Sequence, residues 1–213
     1  LTSLPSGIWD LTNLSLLRIN GNNLTSISSK IGNLKKLTVL HLKGNQITTL
    51  PPDIGKLTNL KQLQMGGNLL TSIPLEIWGL KDLTSFYLSE TKLTSIPKEI
   101  SGLKNLESLN LYENKLNDLP AEVGNLRNLK TLWLQNNQLT SLPMSIGDLT
   151  DLTDLRLSGN LLKTLPLEIF LLHNLTYLSL SRNELLFIPP AIGDLKNLKD
   201  LNLEDNHLTT LPL

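Results

Sequence analysis

Leu129–Leu152 reads Leu-Lys-Thr-Leu-Trp-Leu-Gln-Asn-Asn-Gln-Leu-Thr-Ser-Leu-Pro-Met-Ser-Ile-Gly-Asp-Leu-Thr-Asp-Leu. In its first part leucines alternate with variable residues, and in its second part a Leu-Pro pair is followed by Ile-x-x-Leu. The leading leucine recurs every 23 residues without insertion or deletion, at Leu14, Leu37, Leu60, Leu83, Leu106, Leu129, Leu152, Leu175 and Leu198. A fixed period of this length is typical of a repeat protein, in which each repeat is one structural unit.

Two columns of the repeat are nearly invariant along the chain. The template is LxxLxLxxNxLxxLPxxIxxLxx, and only Thr91 departs from its asparagine column. Only Ser28 departs from the proline column, which runs from Pro5 to Pro212. An asparagine amide donates and accepts, so this column can satisfy the backbone groups of a buried turn. Thr91 offers only a hydroxyl, and we therefore expect its repeat to be locally weaker.

The template resembles that of leucine-rich repeat proteins of the 23-residue LPxxIxxL class, and the resemblance covers the whole chain. Similar repeats occur in spirochaetal surface or secreted leucine-rich repeat proteins, in Ras-binding and Scribble-like scaffold proteins, in plant intracellular Ras-group proteins, and ahead of the GTPase domain of Roco proteins. The resemblance implies recognition of other proteins rather than catalysis of a reaction.

The residues predict the same architecture independently. The LxxLxL segment has the alternation of a strand of about three to five residues with one buried face. The rest of each repeat is too short for a full helix, and it predicts an irregular return with a short 3₁₀ or helical turn. Parallel strands joined by right-handed crossovers stack into a right-handed α/β solenoid. Because the returns are bulkier than the strands, the sheet forms the concave side of a horseshoe.

Composition narrows the class of protein. We expect one domain over residues 1–213, with partial repeats at 1–13 and 198–213, inside a longer protein. The charge is balanced, with 19 basic and 19 acidic residues, and this argues against nucleic acid as a partner. The sequence has no cysteine, and no membrane-spanning run or signal peptide is visible. Both a bacterial surface or secreted protein and an intracellular protein fit these observations.

Catalytic chemistry finds no support in the sequence. The three histidines, His41, His173 and His207, fall in different columns of distant repeats, so they cannot form a metal triad or a catalytic dyad. Without cysteine there is no thiol nucleophile. Gly66-Gly67 is not followed by the Lys-Ser/Thr of a phosphate-binding loop. We expect a protein that is not an enzyme and has no cofactor.

The variable residues beside the strand leucines are predicted to lie on the concave face. Tyr87, Tyr112 and Trp133 fall on consecutive repeats in two rows, so we expect them to form one aromatic patch. Exposed aromatic residues with polar neighbours are typical of interaction hot spots. The alternative is that these rings stack only for stability. The predicted contact residues, with Asp154 in their polar rim, are Tyr87, Tyr112, Trp133, Tyr177, Arg156, His41, Asn110, Gln135 and Arg182.

Two further groups of residues leave alternatives open. Glu90 and Glu113 share a column of neighbouring repeats beside Asn136, an arrangement that could hold calcium, although like charges at this spacing do not require a cation. Four apolar residues replace glycine or polar residues of other repeats, and they either fill the bend between repeats or form a contact with a second copy or a cap. They are Phe170, whose column also holds Trp9 and Trp78, and Leu171, Leu186 and Phe187.

Together these observations predict a non-catalytic module that binds a protein or peptide on its concave face, for example in adhesion of a bacterium to its host. Three alternatives remain open. The chain could be the regulatory repeat array of a larger signalling enzyme such as a Roco-type GTPase, an adhesion protein that depends on a divalent cation, or a scaffold without a ligand. Whether it forms homo-oligomers stays open.

Overall fold

The computed structural model describes residues 1–210, so the end of the partial repeat 198–213, with Pro212, lies outside the described residues. Within residues 1–210 the chain forms nine strands: β1 Leu16–Arg18, β2 Val39–His41, β3 Gln62–Gln64, β4 Ser85–Tyr87, β5 Ser108–Asn110, β6 Thr131–Trp133, β7 Asp154–Arg156, β8 Tyr177–Ser179 and β9 Asp200–Asn202. They form one parallel sheet in sequence order. Equivalent residues of neighbouring repeats are paired throughout, so the predicted solenoid is confirmed.

Within residues 1–210, one five-residue 3₁₀ turn lies before β1 and one lies between each pair of consecutive strands. These turns are Ser6–Asp10, Ser29–Asn33, Pro52–Lys56, Leu75–Gly79, Lys98–Gly102, Ala121–Asn125, Met144–Asp148, Leu167–Leu171 and Pro190–Asp194. The residue before each turn has extended backbone, which proline favours, as at Pro143 with φ −67°. Ser28 replaces that proline, and its side chain accepts a hydrogen bond of 3.2 Å from the backbone N–H of Lys30. At the one position of this column without proline, a side-chain cap therefore takes the place of the proline.

The template leucines and isoleucines form one continuous core between the sheet and the turns. Three large aromatic side chains extend this core where other repeats have a small residue: Trp9, Trp78 and Phe170 are 4%, 2% and 2% exposed. The Trp78 ring packs edge-on against Phe86, with 5.9 Å between ring centroids. These three residues therefore fill space between repeats. Leu171, Leu186 and Phe187, in contrast, are exposed.

The asparagine column forms a ladder of hydrogen bonds along the solenoid. Asn137 donates to the carbonyl oxygens of Leu111 and Leu134 at 2.9 and 3.0 Å, and it accepts from the backbone N–H of Leu116 at 3.0 Å. Each such side chain joins its own repeat to the one before it. Thr91 bonds within its own repeat, to Leu88, and to Asn114 of the next one.

Candidate functional site

Four of the predicted contact residues lie in one row on consecutive strands. Tyr87 on β4 pairs with Asn110 on β5, which pairs with Trp133 on β6 and then with Arg156 on β7. Tyr177 stands in the neighbouring row on β8. All five side chains are half-buried. The parallel register therefore brings residues from five repeats onto one stretch of the concave face.

Arg156 is held between two aromatic rings. Its guanidinium carbon lies 4.8 Å from the ring centroid of Trp133 and 4.7 Å from that of Tyr177. Its Nε and Nη2 atoms donate to the carboxylate of Asp154 at 2.9 and 2.8 Å. The indole Nε1 of Trp133 donates to the same carboxylate at 3.2 Å. We call Trp133, Asp154, Arg156 and Tyr177 the arginine clamp. Its hydrogen bonds and cation–π contacts fix four side chains before any partner arrives.

A shallow depression of about 290 Å³ adjoins the clamp. Tyr87 and Trp133 both line it, together with Lys43, Gln64, Gly66, Ser89 and Asn110. There is no room for a side chain at Gly66, because a Cβ atom there would meet the Ser89 hydroxyl at 2.7 Å. The depression thus has aromatic sides, a polar floor and a cationic edge.

Tyr112 and Gln135 follow β5 and β6 rather than lying in the strands. The Tyr112 hydroxyl donates to a carboxylate oxygen of Glu113 at 2.6 Å, and this hydrogen bond raises the pKa of Tyr112 above its ordinary value. Tyr112 does not line the depression between Tyr87 and Trp133. Within residues 1–210, the side-chain oxygen of Gln135 is buried without a hydrogen-bond partner.

His41 and Arg182 lie at opposite extremes of exposure. His41 is 9% exposed, and its Nε2 atom has no hydrogen-bond partner among the described residues. Burial and the nearby charge of Arg18 lower the pKa of His41. The Arg182 side chain is 76% exposed and forms an ion pair of 3.3 Å with Asp205. Within residues 1–210, neither side chain takes part in the hydrogen bonds of the arginine clamp, so these two predicted contact residues lie apart from it.

The candidate calcium ligands occupy a turn column with left-handed backbone. Glu90 and Glu113 have φ values of 54° and 52°, and Asn136 has 54°. In four other repeats the column holds glycine: Gly21, Gly44, Gly67 and Gly159. Within residues 1–210, no group of three histidine or acidic side chains is arranged to hold a metal ion.

A second depression, of about 530 Å³, follows the beginnings of the strands. It is lined by Lys61, Asp82, Thr84, Asn105, Glu107, Asn128, Lys130 and Asp151. Its charges are partly paired already, because Lys130 bonds to Glu107 at 2.8 Å. The amides of Asn105 and Asn128 donate to backbone carbonyls. None of these lining residues is aromatic, so the second depression offers a weaker anchor than the concave face.

Sequence reasoning did not single out a group of serines beside the clamp. Ser179 pairs with Arg156 across β7 and β8, and it shares a short hydrogen bond with Ser158. Ser181 donates to Ser158 at 3.0 Å. Ser179 and Ser181 are buried although they lie on the concave side. These serines form a recessed surface lined by hydroxyl groups. In the sequence, this surface corresponds to a run of small residues in adjacent concave rows.

Comparison with known proteins identifies the family. Models of leucine-rich repeat regions match residues 75–158 and 122–210, and a second leucine-rich repeat model matches residues 12–70 and 35–93. The chain belongs to the leucine-rich repeat family. No curated protein matches the sequence.

Solved leucine-rich repeat structures are similar over nearly the whole chain. The leucine-rich repeat protein LIC12759 of Leptospira interrogans is 37% identical with a TM-score of 0.69, and the match covers 99% of this chain and 66% of that one. A TDR receptor is 32% identical with a TM-score of 0.77, over 96% of this chain and 41% of the receptor. This chain thus spans less than two thirds of the length of either protein.

A third similar structure contains a bound partner. It is the leucine-rich repeat ectodomain of the plant membrane receptor kinase GASSHO1/SCHENGEN3 from Arabidopsis thaliana, solved in complex with CASPARIAN STRIP INTEGRITY FACTOR 2. The identity is 30% and the TM-score 0.71, over 98% of this chain and 31% of the ectodomain.

In residues 1–210 of the present chain, no helix has the length and apolar character of a membrane span.

Proposed function

We propose that this leucine-rich repeat chain is a non-catalytic recognition module that binds a protein or peptide on the concave face of β4–β8. The arginine clamp carries the proposal. Two aromatic rings and an arginine are half-exposed there, and contacts among Trp133, Asp154, Arg156 and Tyr177 already fix them. A partner that docks on pre-ordered side chains loses less conformational entropy, so more of the contact energy appears as affinity.

The composition of the face suits an interface centre. Tryptophan, tyrosine and arginine are the residues enriched among hot spots, and they act in pockets from which the partner excludes water. The depression between Tyr87 and Trp133 can accept a side chain of the partner, and Lys43 and Gln64 at its margin provide polar contacts. Trp133 belongs to both the depression and the clamp, so we place it at the centre of the interface.

The comparisons support the proposal at two levels. The Arabidopsis ectodomain is similar in fold and was solved with a bound partner, which agrees with recognition by this architecture. We further propose a more specific version, in which this chain acts at a bacterial surface in contact with a host; its support is that the similar Leptospira interrogans protein is bacterial. In that version, too, the partner binds on the concave face of β4–β8.

Selection of peptides tests the proposal. A random peptide display library is panned on the intact chain, and the enriched peptides are measured against Trp133→Ala and Phe187→Ala. Phe187 is a matched control, because it is an aromatic residue that is 50% exposed outside the strands. We expect Trp133→Ala to lose binding of the enriched peptides and Phe187→Ala to keep it. Thermal unfolding of both variants checks that the fold is intact.

Two outcomes would contradict the proposal. Binding that survives Trp133→Ala but fails in Phe187→Ala would move the interface to the surface around Phe187, outside the strands. No enrichment of any peptide on a folded wild-type chain would argue for a scaffold without a ligand.

A further inference from the structure

The guanidinium group of Arg156 is only partly used within the clamp. Asp154 accepts from Nε and Nη2, that is, from one edge of the planar fork. Among the described residues, Nη1 has no acceptor. A guanidinium has five N–H donors, and the pair at its end, one on Nη1 and one on Nη2, is parallel and matches a carboxylate. The donors that remain are therefore arranged for a second, end-on partner.

The surroundings of Arg156 restrict the direction of approach. The rings of Trp133 and Tyr177 cover the guanidinium, and Asp154 covers its Nε edge. The neighbour of Arg156 on β8 is the small, recessed Ser179, which leaves space beside the clamp. The Arg156 side chain is still 34% exposed. A ligand atom can thus reach the guanidinium in its plane, at the end where the free donors lie.

Charge decides which acceptor suits this position. A carboxylate docked end-on would touch the guanidinium directly, while Asp154 on the other edge would be farther away, so the attraction exceeds the repulsion. The hydrogen bond with Asp154 also raises the pKa of Arg156, so the group stays charged at all physiological pH values. The aromatic rings limit hydration and strengthen the ion pair.

We propose that Arg156 is a carboxylate-binding subsite, which selects partners that present an aspartate or glutamate side chain to the concave face beside Trp133. This inference rests on the proposed function, and it adds the chemical class of the partner group. Within it, Asp154, Trp133 and Tyr177 are positioning residues, which hold the guanidinium in one orientation.

Titration with a small carboxylate tests the subsite without any partner. The intact ¹⁵N-labelled chain is titrated with sodium acetate and, separately, with acetamide, and the arginine side-chain resonances are followed. The Arg156 signal is assigned from its absence in Arg156→Lys. We expect it to shift with acetate and not with acetamide, and to shift more than the signals of Arg127 and Arg182. An Arg156 signal that does not move, or that moves equally with acetamide or no more than Arg127, would overturn the proposal.

The enriched peptides provide the second measurement. Replacing their acidic residues one at a time by the corresponding amides should weaken binding at least about tenfold at one position. Arg156→Lys should remove that sensitivity, because lysine lacks the fork, whereas Arg182→Lys should keep it. If Trp133→Ala abolishes binding but no acid-to-amide change matters, the carboxylate subsite is wrong and the recognition face stands. If Trp133→Ala has no effect, the proposed function itself is wrong.

Discussion

Thr91 shows how one side chain changes the connection between repeats. At equivalent positions an asparagine oxygen accepts from the backbone of the previous repeat, as Asn68 does from Ile47 at 3.0 Å. Thr91 instead donates to Leu88 and Asn114. Thr91→Asn should therefore restore bonds to the previous repeat and raise the free energy of unfolding by about 1 kcal/mol. Urea unfolding measures this change.

Asn137→Thr provides the reverse control in another repeat. It removes the bonds that Asn137 makes to Leu111 and Leu116, so it should lower the free energy of unfolding by about 1–3 kcal/mol. If Thr91→Asn were destabilising while Asn137→Thr was neutral, the ladder would not be a source of stability.

Glu90 retains a side chain where the backbone favours glycine. Its φ of 54° costs a residue with a Cβ atom roughly 1 kcal/mol relative to glycine. Glu90→Gly should therefore stabilise the chain, which equilibrium unfolding can measure. Gly67→Ala is the matched control, because it introduces a Cβ atom at a φ of +64° and should destabilise the chain. A loss of stability in Glu90→Gly would mean that the glutamate side chain makes contacts worth more than the strain.

His41 makes stability depend on pH. Burial and Arg18 lower its folded-state pKa below the ordinary 6.5, so below that pH the unfolded chain binds a proton that the folded chain does not. The contribution of neutral His41 is thus complete above pH 6.5 and is lost as the pH falls below it. Urea unfolding at about pH 7.5 and about pH 5.5 should show a larger loss for the wild type than for His41→Gln. Equal losses would contradict this assignment.

At the scale of one element, the 3₁₀ turns stack so closely that some positions exclude a side chain. A Cβ atom on Gly147 would lie 2.6 Å from the carbonyl oxygen of Glu168 in the next turn, whereas one on Gly193 would meet no atom of residues 1–210 within 4 Å. Gly147→Ala should cost about 1–3 kcal/mol of stability because the turns must move apart. Gly193→Ala should be neutral or slightly stabilising. Thermal unfolding of the two variants separates the effect of crowding at Gly147 from any general effect of alanine. Equal melting temperatures of the two variants would contradict close stacking of the turns.

At the scale of the whole molecule, the period of the leucines was enough to predict the solenoid. Alternation in LxxLxL places Leu132 and Leu134 inside and Trp133 outside whatever the neighbouring repeats contain, because it depends only on strand geometry. The constant repeat length then fixes the register between strands. The fold could therefore be read from one repeat and its spacing.

Less of the candidate site than of the fold could be predicted from the sequence. That Arg156 would lie between Trp133 and Tyr177 depends on side-chain rotamers in three neighbouring repeats, and no single repeat contains this information. The hydrogen bond from the Tyr112 hydroxyl to Glu113 likewise depends on side-chain rotamers that the repeat pattern does not specify. The burial of His41 likewise depends on residues of other strands. The rows of variable residues are enough to identify the concave face from the sequence. The centre of the candidate site on that face depends on how the side chains pack.

The affinity of one enriched peptide for three forms of the chain tests the central claim most directly. Isothermal titration calorimetry would compare the wild type, Trp133→Ala and Phe187→Ala. Recognition centred on Trp133 predicts that Trp133→Ala raises the Kd at least about thirtyfold, corresponding to the 2 kcal/mol of a hot spot, while Phe187→Ala changes it by less than about twofold. An unchanged Kd for a folded Trp133→Ala variant would contradict a binding surface on the concave face of β4–β8.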